Sequence, residues 1–210
     1  LAEYRRYYTN IVGKYGPQVQ NLLKKAAGLE IKMICPLHGP IWHQDLKYII
    51  DKYQHWSAYV PEEQAVLIIY GSIYGHTEQA AELLAAKLSN IGIKNISLYD
   101  VSATHPSYLV AEAFRCSHII LASATYNNGI FDTMQTLVHD LVTHNLQNRY
   151  LALIENGSWA PVAGKLIMEQ LSVLKGISWI EPQITIKSAL TSEQEIQVEQ
   201  LATNIAATMK

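Results

Sequence analysis

The sequence predicts an α/β protein: a doubly wound, five-stranded parallel sheet in the order 2-1-3-4-5, with helices on both faces. Three observations carry this. From Gln64 onward, apolar β-rich runs alternate with amphipathic helical runs five times. The first, third and fourth β-rich runs are apolar along nearly their whole length, as in strands covered on both faces. Right-handed crossovers then leave few arrangements for five such strands.

The strands are expected at 65–70, 95–99, 118–123, 150–155 and 178–186, and the helices at 76–91, 106–115, 131–144, 161–174 and 192–208. Ahead of them the pattern differs. Tyr4, Tyr7, Tyr8, Ile11, Val12 and Tyr15, then Val19, Leu22, Leu23 and Ala26, recur at helical spacing. Gly16-Pro17 splits that run into two helices, with Pro17 tolerated in a first turn, and Gly28 ends the second. A short strand is expected at 31–35, a turn at 36–40 and a helix at 43–57. Helices with one short strand cannot complete a sheet domain. Residues 1–60 therefore read as the end of a domain whose front half is missing, 61–64 as a linker and 65–210 as the sheet domain. With no starting Met, the chain reads as cut from something longer.

Composition narrows the function classes. The 210 residues are 49% apolar and 16% charged, enough to bury a sizeable core, and no apolar run reaches the length of a membrane span. Cys35 and Cys116 lie in apolar, strand-like runs and read as reduced core thiols, which fits a cytoplasmic protein. Residues 1–61 hold eight Lys/Arg and four Asp/Glu, whereas 62–210 hold eight and fourteen, so the two parts carry +4 and −6. The acidic second part argues against a nucleic-acid partner. It suits a basic protein surface, though a solvated acidic face explains it nearly as well.

Ligands of doubly wound sheets bind at the carboxyl ends of the strands, where the strand order reverses. The loops after strands one, three and four are therefore expected to meet. The first contains Ser72, Ile73, Tyr74, Gly75, His76 and Thr77 and leads into a helix. Backbone N–H groups, a helix N-terminus and two hydroxyls make an anion cradle suited to a phosphate. No Lys follows, which excludes a nucleoside-triphosphate loop, and the G-x-G-x-x-G spacing of dinucleotide folds is absent. A charge-free loop of this kind suits a terminal monophosphate, as in FMN; an ordinary capped helix reads the same way. The second loop, with Ala124, Thr125, Tyr126, Asn127, Asn128 and Gly129, offers backbone amides for the polar edge of a flavin and Tyr126 for stacking. Gly129 permits a positive φ, and the two Asn tolerate one. In the third, Asn156, Gly157, Ser158 and Trp159 place an aromatic ring among small residues, where it can lie flat against a planar ligand. A surface Tyr and a packed Trp are the plain alternatives. Three loops, each matching one part of FMN, make a stronger case together than any one alone. Trp179, inside a strand, reads as packing.

The stretches Ser72-Ile-Tyr-Gly-His-Thr-Glu, Thr125-Tyr-Asn-Asn-Gly-Ile-Phe and Gly157-Ser-Trp-Ala-Pro-Val-Ala-Gly-Lys resemble the flavodoxin-like domain of the flavodiiron proteins. Ile34-Cys-Pro-Leu-His-Gly-Pro-Ile-Trp42 resembles the last metal-ligand motif of their metallo-β-lactamase-like domain, so the resemblance covers the whole chain. It implies FMN feeding electrons to a non-haem diiron site that reduces dioxygen to water, nitric oxide to nitrous oxide, or both. It also implies a rubredoxin-like or reductase donor, a head-to-tail homodimer or tetramer, and His38 as an iron ligand in the full-length parent. The family's H-x-E-x-D-H run is missing from this chain, so the fragment alone is expected to carry electrons without a diiron centre. Two other readings remain. A stand-alone FMN-dependent NAD(P)H:quinone reductase or flavodoxin-type carrier leaves residues 1–60 unexplained. A receiver-type signalling domain needs an acidic residue where Ser123-Ala-Thr stands.

Overall fold

The computed structural model describes residues 1–209. Its sheet is built from β1 (Glu63–Gly71), β2 (Ile96–Asp100), β3 (Cys116–Tyr126), β5 (Arg149–Asn156), β6 (Ile177–Trp179) and β7 (Ile184–Ile186), with a two-residue β4 (Gly129–Ile130) turned back on β3. The order is β2-β1-β3-β5-β6, with β7 also pairing β5, and every pairing but the β3–β4 hairpin is parallel. Counting β6 and β7 as one interrupted strand, this is the expected 2-1-3-4-5 sheet. The interruption has a local cause. Pro182 lies between the two pieces and has no N–H to give to the ladder.

Side-chain alternation builds two cores. On one face Leu67, Ile69, Ile119, Leu121, Leu151 and Leu153 pack under α5 (Pro106–Arg115), α6 (Asp132–Thr143) and α7 (Ala163–Leu171). On the other, Val66, Ile68, Ile120, Ala122, Ala152 and Ile154 pack under α4 (His76–Asn90) and α8 (Ser192–Thr208). That is why the central strands are apolar at consecutive positions.

The N-terminal segment has its own small core of Tyr4, Tyr8, Val19, Ile49 and Trp56. It comprises α1 (Ala2–Tyr7), a π turn at Tyr8–Val12, a 3-10 turn at Gly13–Tyr15, α2 (Gly16–Ala26) and α3 (Leu46–Ser57). Helicity is interrupted at Gly13–Tyr15, just before the expected break, and Pro17 sits in the first turn of α2. The strand expected at 31–35 does not form; only a single bridge joins Ile34 to Trp42. Cys35 is consequently exposed, not a core thiol, whereas Cys116 is buried.

Ion pairs join this segment to the sheet. The Glu62 carboxylate is fully buried and accepts from Arg5 Nε at 2.5 Å, Trp56 Nε1 at 2.5 Å and Lys52 Nζ at 3.0 Å. Burial alone raises a carboxyl pKa, but these three donors hold Glu62 below its ordinary value. Arg5 also reaches Glu112 on α5 at 3.1 Å. Nearby, the buried Arg149 guanidinium donates to the carbonyls of Tyr59, Ala113, Phe114, Gln147 and Asn148. The stretch read as a linker is thus a packed joint: β1 begins at Glu63, and the Glu62 N–H bonds the Arg115 carbonyl.

Candidate functional site

Strand register sets the site. Gly71 of β1 is level with Ser123 of β3, Ser123 with Glu155 of β5, and Glu155 with Thr185 of β7. The loops after β1, β3, β5 and β7 therefore leave the same edge of the sheet, beside the point between β1 and β3 where the order reverses. Close approach is required there. A Cβ on Gly71 would lie 2.5 Å from Phe131 Cδ1, at the end of the second loop.

The first loop turns at Gly75, whose φ of +87° suits glycine, and its N–H bonds Ser72 Oγ at 3.0 Å. The turn aims the N-terminus of α4, a 15-residue helix, at the carboxyl edge of the sheet. Thr77 is buried behind it, while Tyr74 is 87% exposed at the rim. His76 is partly buried, and its Nδ1 is buried with no hydrogen-bond partner. Below the loop, the Tyr70 hydroxyl donates to Glu78 Oε1 at 2.8 Å and ties α4 to β1. Burial, together with that acceptor, pushes the Tyr70 phenol up to about 12.

The second loop is a two-residue hairpin. Asn127 and Asn128 take φ of +48° and +56°, so the left-handed positions are the two Asn and not Gly129. A two-residue turn with both φ positive matches the twist of its flanking strands. Thr125 Oγ1 accepts from the N–H groups of Val162 and Ala163 at 3.1 and 3.3 Å, binding this loop to the start of α7.

The third loop is held from several sides. Glu155 Oε2 accepts from the Gly164 N–H at 2.8 Å, and its Oε1 accepts from Thr185 Oγ1 at 2.9 Å. Asn156 makes a two-point contact with the Ser188 backbone, accepting from its N–H at 3.1 Å and donating to its carbonyl at 2.8 Å. Trp159 projects at 96% exposure.

Two adjoining crevices result. One, of about 210 Å³, lies among Ser72, Ile73, Tyr74, His76, Thr77, Ala124, Thr125, Asn156, Gly157, Ser158 and Ser188. The other, of about 620 Å³, shares Ile73, Tyr74, Thr125, Gly157 and Ser158 and adds Tyr126, Asn127, Asn128, Trp159 and Ala160. Of the loop residues singled out from the sequence, Gly75 and Gly129 line neither crevice; Gly75 shapes the first turn, and Gly129 pairs with Tyr126 at the foot of the hairpin. Ser188 was missed. The signal was available, because the loop after the last strand also leaves from the carboxyl edge. Ala160, beside Trp159, was missed as well.

The sequence model of the flavodoxin family matches residues 68–200, most of the chain. The chain belongs to the flavodoxin family. FMN is the cofactor of such a domain. The residues present fit it. The smaller crevice has no Lys, Arg, Asp or Glu in its lining, and it combines a helix N-terminus with the hydroxyl residues Ser72, Thr77, Thr125 and Ser158, a donor set for a phosphate. The larger crevice, rimmed by Tyr126 and Trp159, has the breadth for a flat ring.

Similarity to the flavodiiron proteins runs along the whole chain. The chain is 27% identical over 210 residues to the rubredoxin-oxygen oxidoreductase of Megalodesulfovibrio gigas, covering 98% of this chain and 52% of that protein. It is 28% identical to a nitric oxide reductase of Moorella thermoacetica, covering 99% and 52%. The solved structure of the rubredoxin oxygen:oxidoreductase from Desulfovibrio gigas superposes with a TM-score of 0.89 at 26% identity, covering 98% of this chain and 51% of that one. The flavodoxin-family chain thus spans about half the length of these relatives. His38 is exposed and lies against Tyr7, with ring centroids 5.0 Å apart and the planes tilted by 31°. Among the described residues no three His, Cys, Asp or Glu side chains lie close enough to hold a metal, so these residues alone do not fit a diiron centre. No described helix is long and apolar enough to cross a membrane.

Proposed function

We propose that this FMN-binding electron-transfer chain is the flavin end of a flavodiiron oxidoreductase that reduces dioxygen to water, nitric oxide to nitrous oxide, or both. A rubredoxin-like protein or a reductase supplies the electrons, and the parent assembles head to tail. Residues 1–60 belong to the metal-binding domain of that parent, and His38 is an iron ligand there, completed by residues outside this chain. The observation that carries the reading is the common level of Gly71, Ser123 and Glu155, which delivers all three loops to one continuous opening.

Bound FMN supplies reversible electron transfer between a two-electron and a one-electron partner. The amides of the first loop, with the hydroxyls of Ser72 and Thr77, hold the phosphate. Thr125, Asn127 and Asn128 border the polar edge of the ring with main-chain groups. Trp159 and Tyr126 cover its faces, exclude water and add about 0.5–1.5 kcal/mol of stacking beyond area burial. Trp159, exposed at the rim, would stand where a partner protein can approach.

Titration of the apo-chain with FMN, followed by flavin fluorescence, tests the reading. One equivalent is expected to bind, and Trp159→Ala is expected to weaken it about threefold to tenfold, in line with the stacking contribution. A colourless protein indifferent to added FMN defeats the proposal. The assignment to a diiron parent is tested separately, by the coding sequence upstream of Leu1, where a H-x-E-x-D-H run is expected.

A further inference from the structure

Four loops border the site, and FMN as read above engages three of them. The fourth follows β7 and leads into α8. Its place comes from the two faces of the sheet. The first loop enters α4 and the fourth enters α8, and both helices pack on one face. The second and third loops enter α6 and α7, on the other face. The first and fourth loops therefore flank the same end of the site. Ser188 accordingly lines the smaller crevice, with Ser72 and Thr77, and has no part in the larger one.

Ser188 holds this place in a disfavoured conformation. Its φ is +70°, in the left-handed region where a Cβ crowds the backbone. Both ends of the Asn156 amide are spent on keeping it there, Oδ1 accepting from the Ser188 N–H at 3.1 Å and Nδ2 donating to the Ser188 carbonyl at 2.8 Å. The approach to the loop is anchored as well. The Gly157 N–H bonds the Ile186 carbonyl at 3.0 Å, and Gln194 Nε2 of α8 donates to the Thr185 carbonyl at 2.8 Å. The result is a Ser188 hydroxyl set 3.0 Å from that of Ser158, another lining residue. Among the described residues neither hydroxyl has a second partner. Two hydroxyls carry two hydrogens, and one is spent between them, so the pair keeps one O–H to donate. A phosphate oxygen only accepts, and a hydrogen bond to a charged acceptor is about twice as strong as a neutral one.

We infer that Ser188 is a specificity-determining residue for the phosphate end of the flavin, and that Asn156 is a positioning residue acting through it. This rests on the FMN reading above and adds a fourth loop to the same site.

The test measures dissociation constants of the full chain for FMN and for riboflavin, which lacks the phosphate, by fluorescence quenching at fixed pH and ionic strength. Ser188 is exposed, so Ser188→Ala is expected to fold as the wild type does. Its FMN dissociation constant is expected to rise about fivefold to tenfold, and its riboflavin constant less than about twofold. Trp159→Ala, at the ring end, is expected to weaken both ligands alike. Asn156→Ala is expected to lose at least as much FMN affinity as Ser188→Ala. Adding Ser188→Ala to it is expected to change the constant by less than about twofold, because residues that act through one another do not add. An unchanged FMN constant in Ser188→Ala, or an equal rise for riboflavin, overturns the role of Ser188 and leaves the FMN site standing. Additive losses in the double variant overturn the role of Asn156. Failure of the wild type to bind FMN overturns the inference and the FMN reading together. Should Asn156→Ala not fold, Asn156→Ser takes its place in the cycle.

Discussion

His118 is fully buried at the start of β3 and stacked on Tyr150, with ring centroids 4.8 Å apart. Nδ1 lies 2.7 Å from Ser117 Oγ, and Nε2 lies 2.9 Å from Thr208 Oγ1 near the end of α8. Burial pushes its pKa from 6.5 down to about 4, so the folded chain keeps this imidazole neutral where the unfolded chain protonates it. The stability it contributes is therefore complete above pH 6.5, declines as pH falls toward 4 and changes no further below. The loss amounts to roughly 2 kcal/mol by pH 5. Urea midpoints at pH 7.5 and pH 5 are expected to show a smaller acid-side fall in His118→Gln than in the wild type; an equal fall in both rules this out. Residue types at the site were legible because their chemistry is local: hydroxyls, glycines and a helix start announce an anion cradle. The side assignment within the second loop was not. Asn127-Asn128-Gly129 allows a left-handed residue at any of three positions, and only the hairpin pairing of Tyr126 with Gly129 puts it on the two Asn.

At the scale of elements, the third loop is closely packed against its own backbone. A Cβ on Gly157 would lie 2.8 Å from Pro161 Cα, a backbone atom that cannot swing aside. Gly157→Ala is expected to cost about 1–3 kcal/mol, the usual range for overpacking, and to weaken FMN binding by displacing Trp159. Gly28→Ala is the matched control, with nothing within 4 Å of its added methyl, and is expected to stay within about 0.5 kcal/mol of the wild type. Thermal melts and FMN titrations of both variants check this, and equal behaviour of the two refutes it. The central strands were legible because burial on both faces leaves an apolar run that little else produces. Two elements went otherwise. Residues 31–35 have the composition of a strand but find only one bridging partner, so composition without a ladder left them as loop and Cys35 in solvent. The fifth strand was read as continuous through Pro182, whose missing N–H was the available warning.

At the scale of the whole molecule, one buried carboxylate gathers several of the ties at the joint between the N-terminal segment and the sheet domain. Glu62 serves Arg5, Lys52 and Trp56 together, with its side chain out of solvent. Removing one partner of a buried ion pair leaves uncompensated charge, at a cost of about 3–5 kcal/mol. Glu62→Ala is expected to lower the urea midpoint accordingly. Tryptophan fluorescence, which includes Trp42 and Trp56 of the N-terminal segment, is expected to change ahead of far-ultraviolet dichroism. Coincident transitions with less than about 1 kcal/mol lost would remove the joint from any role in cohesion. None of this was legible beforehand. Pro61-Glu-Glu-Gln has the composition of a spacer, and only the approach of α1 and α3 buries the Glu62 side chain within it.

The shared height at which the strands end also limits how such a chain can diversify. Adding one residue inside β1, β3 or β5 would turn every later side chain of that strand to the opposite core and lift its loop by about 3.3 Å. Adding one to a loop disturbs neither. Ligand preference and partner choice can therefore drift through insertions at the rim while the scaffold beneath stays locked in phase.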